Sequence, residues 1–221
     1  MSTEAALIIS GFLFWFIIAT NIASGRFGYQ TINEPGPEAK LKQIKDSPNK
    51  FKIGVALILI EHISIIALAA TLFVAFSGYS IVLAVIWTVS RSVESLMQIY
   101  HKKDYWRLLN LAYRYSDGAG NNDELIEQAG DILKSKSSNF SLSQVFFSIG
   151  TLAYSILFVL YGVLPLIIGW SGIIAGTLYG LGNSLTPVKT KFKIILYPGA
   201  LLILVFEAVL GGWLLFVHNV S

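Results

Sequence analysis

Six stretches of this chain are apolar over the length needed to cross a bilayer, and that feature decides the fold class. A hydrocarbon core ~30 Å thick takes about twenty helical residues at ~1.5 Å each. The stretches fall at about 5–24, 51–76, 80–102, 141–162, 164–185 and 193–217. Backbone N–H and C=O groups left unpaired in hydrocarbon are costly, so each stretch is expected to be a helix. The expected fold is all-α: a polytopic membrane protein with a single transmembrane domain over 1–221, built as a bundle of six helices. Charged residues make up only 13% of the chain, about half the share usual in soluble domains. No Lys or Arg precedes the first stretch, and its length is that of a full span. It is therefore expected to be a retained helix rather than a cleaved signal.

The connections differ in kind. "SGYS" (77–80) and "YGVLP" (161–165) are tight, uncharged turns, whereas 26–50 is polar and its "NEPGPEAK" (33–40) reads as loop. Between spans three and four, "DYWRLLNLAYRY" (104–115) looks like an aromatic, basic helix lying at the interface. "NNDELIEQAGDILKSK" (121–136) has acids in its first turn and lysines in its last, with Leu125, Ile126, Ala129, Ile132 and Leu133 on one face. It reads as a separate, well-capped surface helix.

Sidedness follows from charge. Of 16 Lys and Arg, six lie at or between the ends of spans one and two, six likewise for spans three and four, and three for spans five and six. The remaining one is Arg91. The positive-inside rule places these three basic loops in the cytoplasm and both termini outside, in a multi-pass protein of the cell membrane. That role accounts for the net charge of +3, and no nucleic-acid partner is expected.

Charges also occur inside the spans. Arg91 is at the midpoint of span three, Glu61 and His62 near that of span two, and Glu207 near that of span six. Glu94 lies about one turn nearer the basic loops. Thr88, Arg91, Glu94, Ser95 and Gln98 share one helical stripe. Such a stripe in lipid must face the protein interior. Arg91 is therefore expected to meet carboxylates from its own helix and from spans two and six. Three acids against one guanidinium leave negative charge in excess, so at least one acid is expected to be neutral unless His62 is protonated. Glu61, His62, Arg91, Glu94 and Glu207 are the candidate residues for binding a proton, a cation or a hydrogen-bonding ligand. The alternative is a neutralised network that only holds helices in register.

Other signals are structural or negative. Gly172, Gly176 and Gly180 form a G-x-x-x-G-x-x-x-G ridge suited to close packing, within the chain or between protomers; Gly211 and Gly212 suggest the same. Asn21, Ser24, Asn183 and Ser184 could line a polar vestibule or satisfy helix ends. Tyr100, Tyr105, Trp106 and Tyr113 read as an interfacial aromatic belt. The chain has no cysteine, and of its three histidines His101 and His218 lie near span ends, so no metal centre or cofactor is expected. There is no G-x-S-x-G or H-E-x-x-H motif, and Asp104, Asp117, Asp123 and Asp131 form no lipid-processing signature. The reading leans away from an enzyme.

"FKIGVALILIEHISIIALAATLFVAF", "VSRSVESL", "QVFFSIGTLAYSILFVLYGVLPLIIGWSGIIAGTLYGLG" and "FEAVLGGWLLF" together resemble an uncharacterised six-helix membrane family, domain of unknown function 4386. The resemblance runs from about Phe51 onward. It rests on Arg91 and Glu94, Phe146 with Phe147, Pro165, Tyr179, and Glu207 with Trp213. It implies a fold and no chemistry. Two functions are expected to compete: a small carrier or proton/ligand-binding protein using the Arg/Glu cluster, and a structural or accessory subunit of a larger membrane complex. The partners expected are the lipid bilayer and either other membrane subunits or further copies of the chain.

Overall fold

A computed structural model describes residues 1–29, 34–116, 122–185 and 192–217; Asp117 and His218 lie outside the described residues. Eight helices are described: α1 (Thr3–Arg26), α2 (Pro37–Asp46), α3 (Pro48–Phe76), α4 (Ile81–Tyr100), α5 (Lys103–Ser116), α6 (Asn122–Tyr161), α7 (Leu166–Leu185) and α8 (Lys193–Phe216). Six of them, all but α2 and α5, are long and apolar enough to cross a membrane. The described residues contain no strand. The polytopic all-α bundle is thus present.

Helix ends follow local chemistry. Ser2 caps α1 by accepting from the Ala5 N–H at 3.2 Å, and Ser80 caps α4 through the Leu83 N–H. The α6–α7 turn uses Gly162 at φ +60°, a left-handed conformation that a Cβ would strain. The membrane helices then pack in chain order, α1 on α3, α3 on α4, α4 on α6, α6 on α7, α7 on α8, and α8 back on α1. This closes a six-membered ring. The α1–α3 register is fixed by the Ser10–Thr71 hydrogen bond (2.8 Å) near one end and by Asn21–Glu61 eleven residues further along α1.

Glycines allow the closest approaches. A Cβ on Gly11 of α1 would lie 2.7 Å from the Gly211 carbonyl oxygen of α8. Gly180 and Gly172 of α7 face Ser148 and Ser155 of α6, and Gly176 faces Thr151 and Leu152. The glycine ridge therefore packs inside the chain, against a small-residue stripe on its neighbour.

Two apolar cores divide the molecule. One fills the ring at the end away from the basic loops, around Phe14, Phe76, Trp87, Phe158 and Leu210. The other lies at the basic end, where Leu41 and Ile44 of α2, Leu108 and Ala112 of α5, and Leu125 and Ala129 of α6 pack on Phe51, Val55 and Ile58 of α3.

Three expectations are corrected here. "PEAK" opens a helix: Pro37 sits at a first-turn position where its missing N–H costs nothing, Glu38 and Lys45 complement the dipole, and Leu41 and Ile44 are buried. The segment read as a separate surface helix is the first half of the 40-residue α6. Residues 131–149 contain neither Gly nor Pro, so nothing stops the helix at the lysines. Tyr105 does not join an interfacial belt; it is 3% exposed, whereas Tyr100, Trp106 and Tyr113 are exposed.

Candidate functional site: a polar cavity at the centre of the ring

The stripe on α4 is buried as its spacing requires: Arg91, Glu94, Ser95 and Gln98 face inward, while Val85, Val89 and Leu96 face outward. Thr88 is only half-buried and turns its hydroxyl to the Ala84 carbonyl of its own helix. Nη1 of Arg91 lies 2.9 Å from Oε2 of Glu94, one turn along the same helix, and Nη2 lies 4.0 Å from Oε1 of Glu207 on α8. The guanidinium is stacked over the Phe147 ring of α6, 4.3 Å from its centroid. Gly150 makes room for this, because a Cβ there would fall 2.9 Å from Cγ of Arg91.

Glu61 departs from expectation. Among the described residues it forms no ion pair with Arg91; Nδ2 of Asn21 on α1 donates to both its oxygens, at 3.1 and 3.2 Å. The reason is register: α1 and α3 pair so that Asn21 stands opposite Glu61, while the arginine is engaged by Glu94 and Phe147. Nδ1 of His62 lies 2.7 Å from the Ile58 carbonyl, so it carries the proton and donates there. Nε2 is then a bare acceptor, with no partner among the described residues.

All five candidates line one cavity of about 330 Å³, with walls from every membrane helix of the ring. Asn21, Gln98, Gln144 and Tyr179 add polar atoms to it, and Ile17, Ile58 and Ile203 add apolar wall. The cavity stops short of the apolar core around Phe76 and Leu210. Of the proposed vestibule residues only Asn21 contributes; Ser24 and Ser184 bond backbone carbonyls, and Asn183 lines a separate cavity. Phe147, Gly150 and Gln144 are additions that the sequence reading did not assign to the site. Their signal was a polar stripe on span four, where Gln144, Ser148, Thr151 and Ser155 recur at helical spacing.

A second polar region lies below the cavity. Lys40, Lys102 and Lys136 are buried around the stacked rings of Tyr29 and Tyr105, whose centroids are 5.0 Å apart. Lys102 donates to the Tyr29 hydroxyl at 2.8 Å and lies 5.0 and 5.2 Å from the two ring centroids; Lys136 lies 5.2 and 5.0 Å from them. Glu34 pairs with Lys40 at 3.1 Å and with Lys136. Burial pushes the Tyr29 hydroxyl well above the usual phenol range, so it stays protonated. In the sequence these lysines read only as topology charges.

No group of three or more potential metal ligands occurs among the described residues. Ring, cavity and apolar surface together define a polytopic membrane protein with a polar chamber sealed from one side. The chain belongs to the family described as Domain of unknown function (DUF4386), whose match covers residues 9–217. That match takes in span one, which the sequence resemblance had left out. No curated protein and no solved structure matches the chain.

Proposed function

We propose that this protein is a small ligand-binding carrier of the membrane, whose central cavity takes a proton or a ligand bearing positive charge or hydrogen-bond donors. The observation that carries this reading is the composition of the cavity wall. Glu61, Glu207 and the bare Nε2 of His62 present acceptors, while the one guanidinium is engaged by Glu94 and covered by Phe147. These acceptors border about 330 Å³ of space, within the range of small-ligand sites. The apolar core beyond Trp87 closes one end, so transport would require those side chains to part. With the basic loops read as cytoplasmic, the cavity's nearer end faces that side.

The competing role as a structural or accessory subunit keeps less support, since Gly172, Gly176 and Gly180 are used against α6 of the same chain. The test is thermal unfolding of the protein in lipid nanodiscs, titrated with butylammonium and with guanidinium. Stabilisation that saturates, and that falls at least tenfold in apparent affinity in Glu61→Gln, is expected. No saturable effect from either cation, together with no proton uptake that depends on Glu61 or Glu207, would refute the reading.

A further inference from the structure

The cavity reaches the outer surface of the ring at one seam. α1 and α8 touch backbone to backbone where Gly11 meets Gly211. Seven residues on from that contact, ~10 Å along each helix, stand Ile18 and Leu204; eleven residues on, at ~16 Å, stand Ile22 and Ala200. All four border the cavity. Ile22 is 54% exposed and Leu204 42% exposed on the outside of the bundle. Those two side chains therefore have one face on the chamber and one on the bilayer. The glycine contact holds the two helices together at one end, and the chamber opens between them towards the basic loops.

Ile18, Ile22, Ala200 and Leu204 make this opening mostly aliphatic, with the exposed Asn21 beside Ile22 as a polar residue at its edge, and the chamber behind it carries the buried Glu61. His62 supplies the independent sign of a ligand: its side chain is 7% exposed, it faces the chamber, and its Nε2 has no partner among the described residues. A doorway lined mostly by aliphatic side chains admits an alkyl chain at little cost and offers a hydrated ion few partners. Carboxylates and a bare imidazole nitrogen inside suit a donor-rich, positively charged head.

We infer that the ligand is a single-chain amphiphile with an ammonium head group, entering from the adjacent leaflet between α1 and α8. This rests on the ligand-binding reading above and specifies its substrate class. The head would lie against Glu61 and His62, with Ile18, Ile22 and Leu204 along the chain.

The test uses the full chain in nanodiscs of neutral lipid, with hexadecylamine bearing a diazirine in its chain as the probe and butylamine as its soluble counterpart. Expected are photolabelling concentrated on Ile18, Ile22 and Leu204, suppression by unlabelled hexadecylamine, and a roughly tenfold loss of labelling in Glu61→Gln. Leu204→Trp, which narrows the opening without touching the polar wall, should reduce hexadecylamine labelling and leave butylamine stabilisation intact. If butylamine stabilises the protein through Glu61 but the long-chain probe labels only ring surfaces away from the seam, the portal is overturned and the ligand-binding reading survives. Failure of both amines to show any dependence on Glu61 overturns both.

Discussion

The two buried polar regions are opposites in charge and in what their charged groups lie against. In the central chamber, Glu94 and Glu207 face the guanidinium of Arg91, Glu61 is held by Asn21, and space remains. At the basic end, Lys40 and Lys136 pair with Glu34, Lys102 donates to Tyr29, and the rings of Tyr29 and Tyr105 stack beside Lys102 and Lys136. Excess ammonium charge can be spread over aromatic faces, which is how Lys102 and Lys136 are accommodated. Excess carboxylate has no such aromatic remedy, because ring faces repel anions. It needs a proton, an amide such as Asn21, or a ligand. One region disperses its excess charge over ring faces, and the other holds acceptors that can receive a ligand.

The largest effect should come from Arg91→Ala. Removing the only cation of the upper cluster strands Glu94 and loosens Glu207, a loss of about 3–5 kcal/mol for breaking a buried pair. A pronounced fall in melting temperature in detergent is expected, and an unchanged value would show that the chamber does not depend on its guanidinium.

Next comes Tyr29→Ala. It deletes a buried ring that stacks on Tyr105 and contacts two lysines, worth about 3 kcal/mol by analogy with other aromatic truncations. By contrast, Lys102→Met should cost under about 1 kcal/mol, since the lost hydrogen bond to Tyr29 is offset by relief of repulsion with the neighbouring lysines. If Lys102→Met proved as damaging as Arg91→Ala in equilibrium unfolding, the contrast between a ring-shielded cluster and one that depends on its counter-ion would collapse.

The acids can be ranked by their contacts. Glu94→Gln weakens the 2.9 Å pair and should cost about 1–3 kcal/mol, whereas Glu207, 4.0 Å from the guanidinium, should tolerate Gln with under about 1 kcal/mol. Parallel melting curves for the two variants check the order, and a reversal would mean that Glu207 is the principal counter-ion.

Much of this was legible in the sequence, for identifiable reasons. Span length and the polar stripe on α4 are local patterns, so the six membrane helices and the inward face of Arg91, Glu94 and Gln98 followed directly. Which acid meets the arginine is a matter of inter-helix register, and no local pattern encodes that Asn21 stands opposite Glu61. The burial of Lys40, Lys102 and Lys136 was hidden for a similar reason. Their shelter is built by Tyr29, α2 and α5, elements that come together only in the fold. The continuity of α6 is legible too, since a helical pattern with no Gly or Pro has no reason to end at a pair of lysines.

The smallest effect marks where the contrast stops mattering. Glu38 and Lys42, one turn apart on α2, pair at 2.6 Å with both side chains more than half exposed. The lysine holds Glu38 below the usual carboxylate range, chiefly through their hydrogen bond. A lowered carboxylate contributes stability that is present above its unfolded value and is lost as pH falls through its folded one. Water and salt screen this pair on every side, so its contribution is near nothing despite a contact shorter than that of Arg91 with Glu94. Glu38→Gln is therefore expected to leave the melting temperature within error at every pH from acid to neutral. Should it shift the acid limb of the stability profile, α2 would be contributing surface charge to the buried lysines as well as apolar packing.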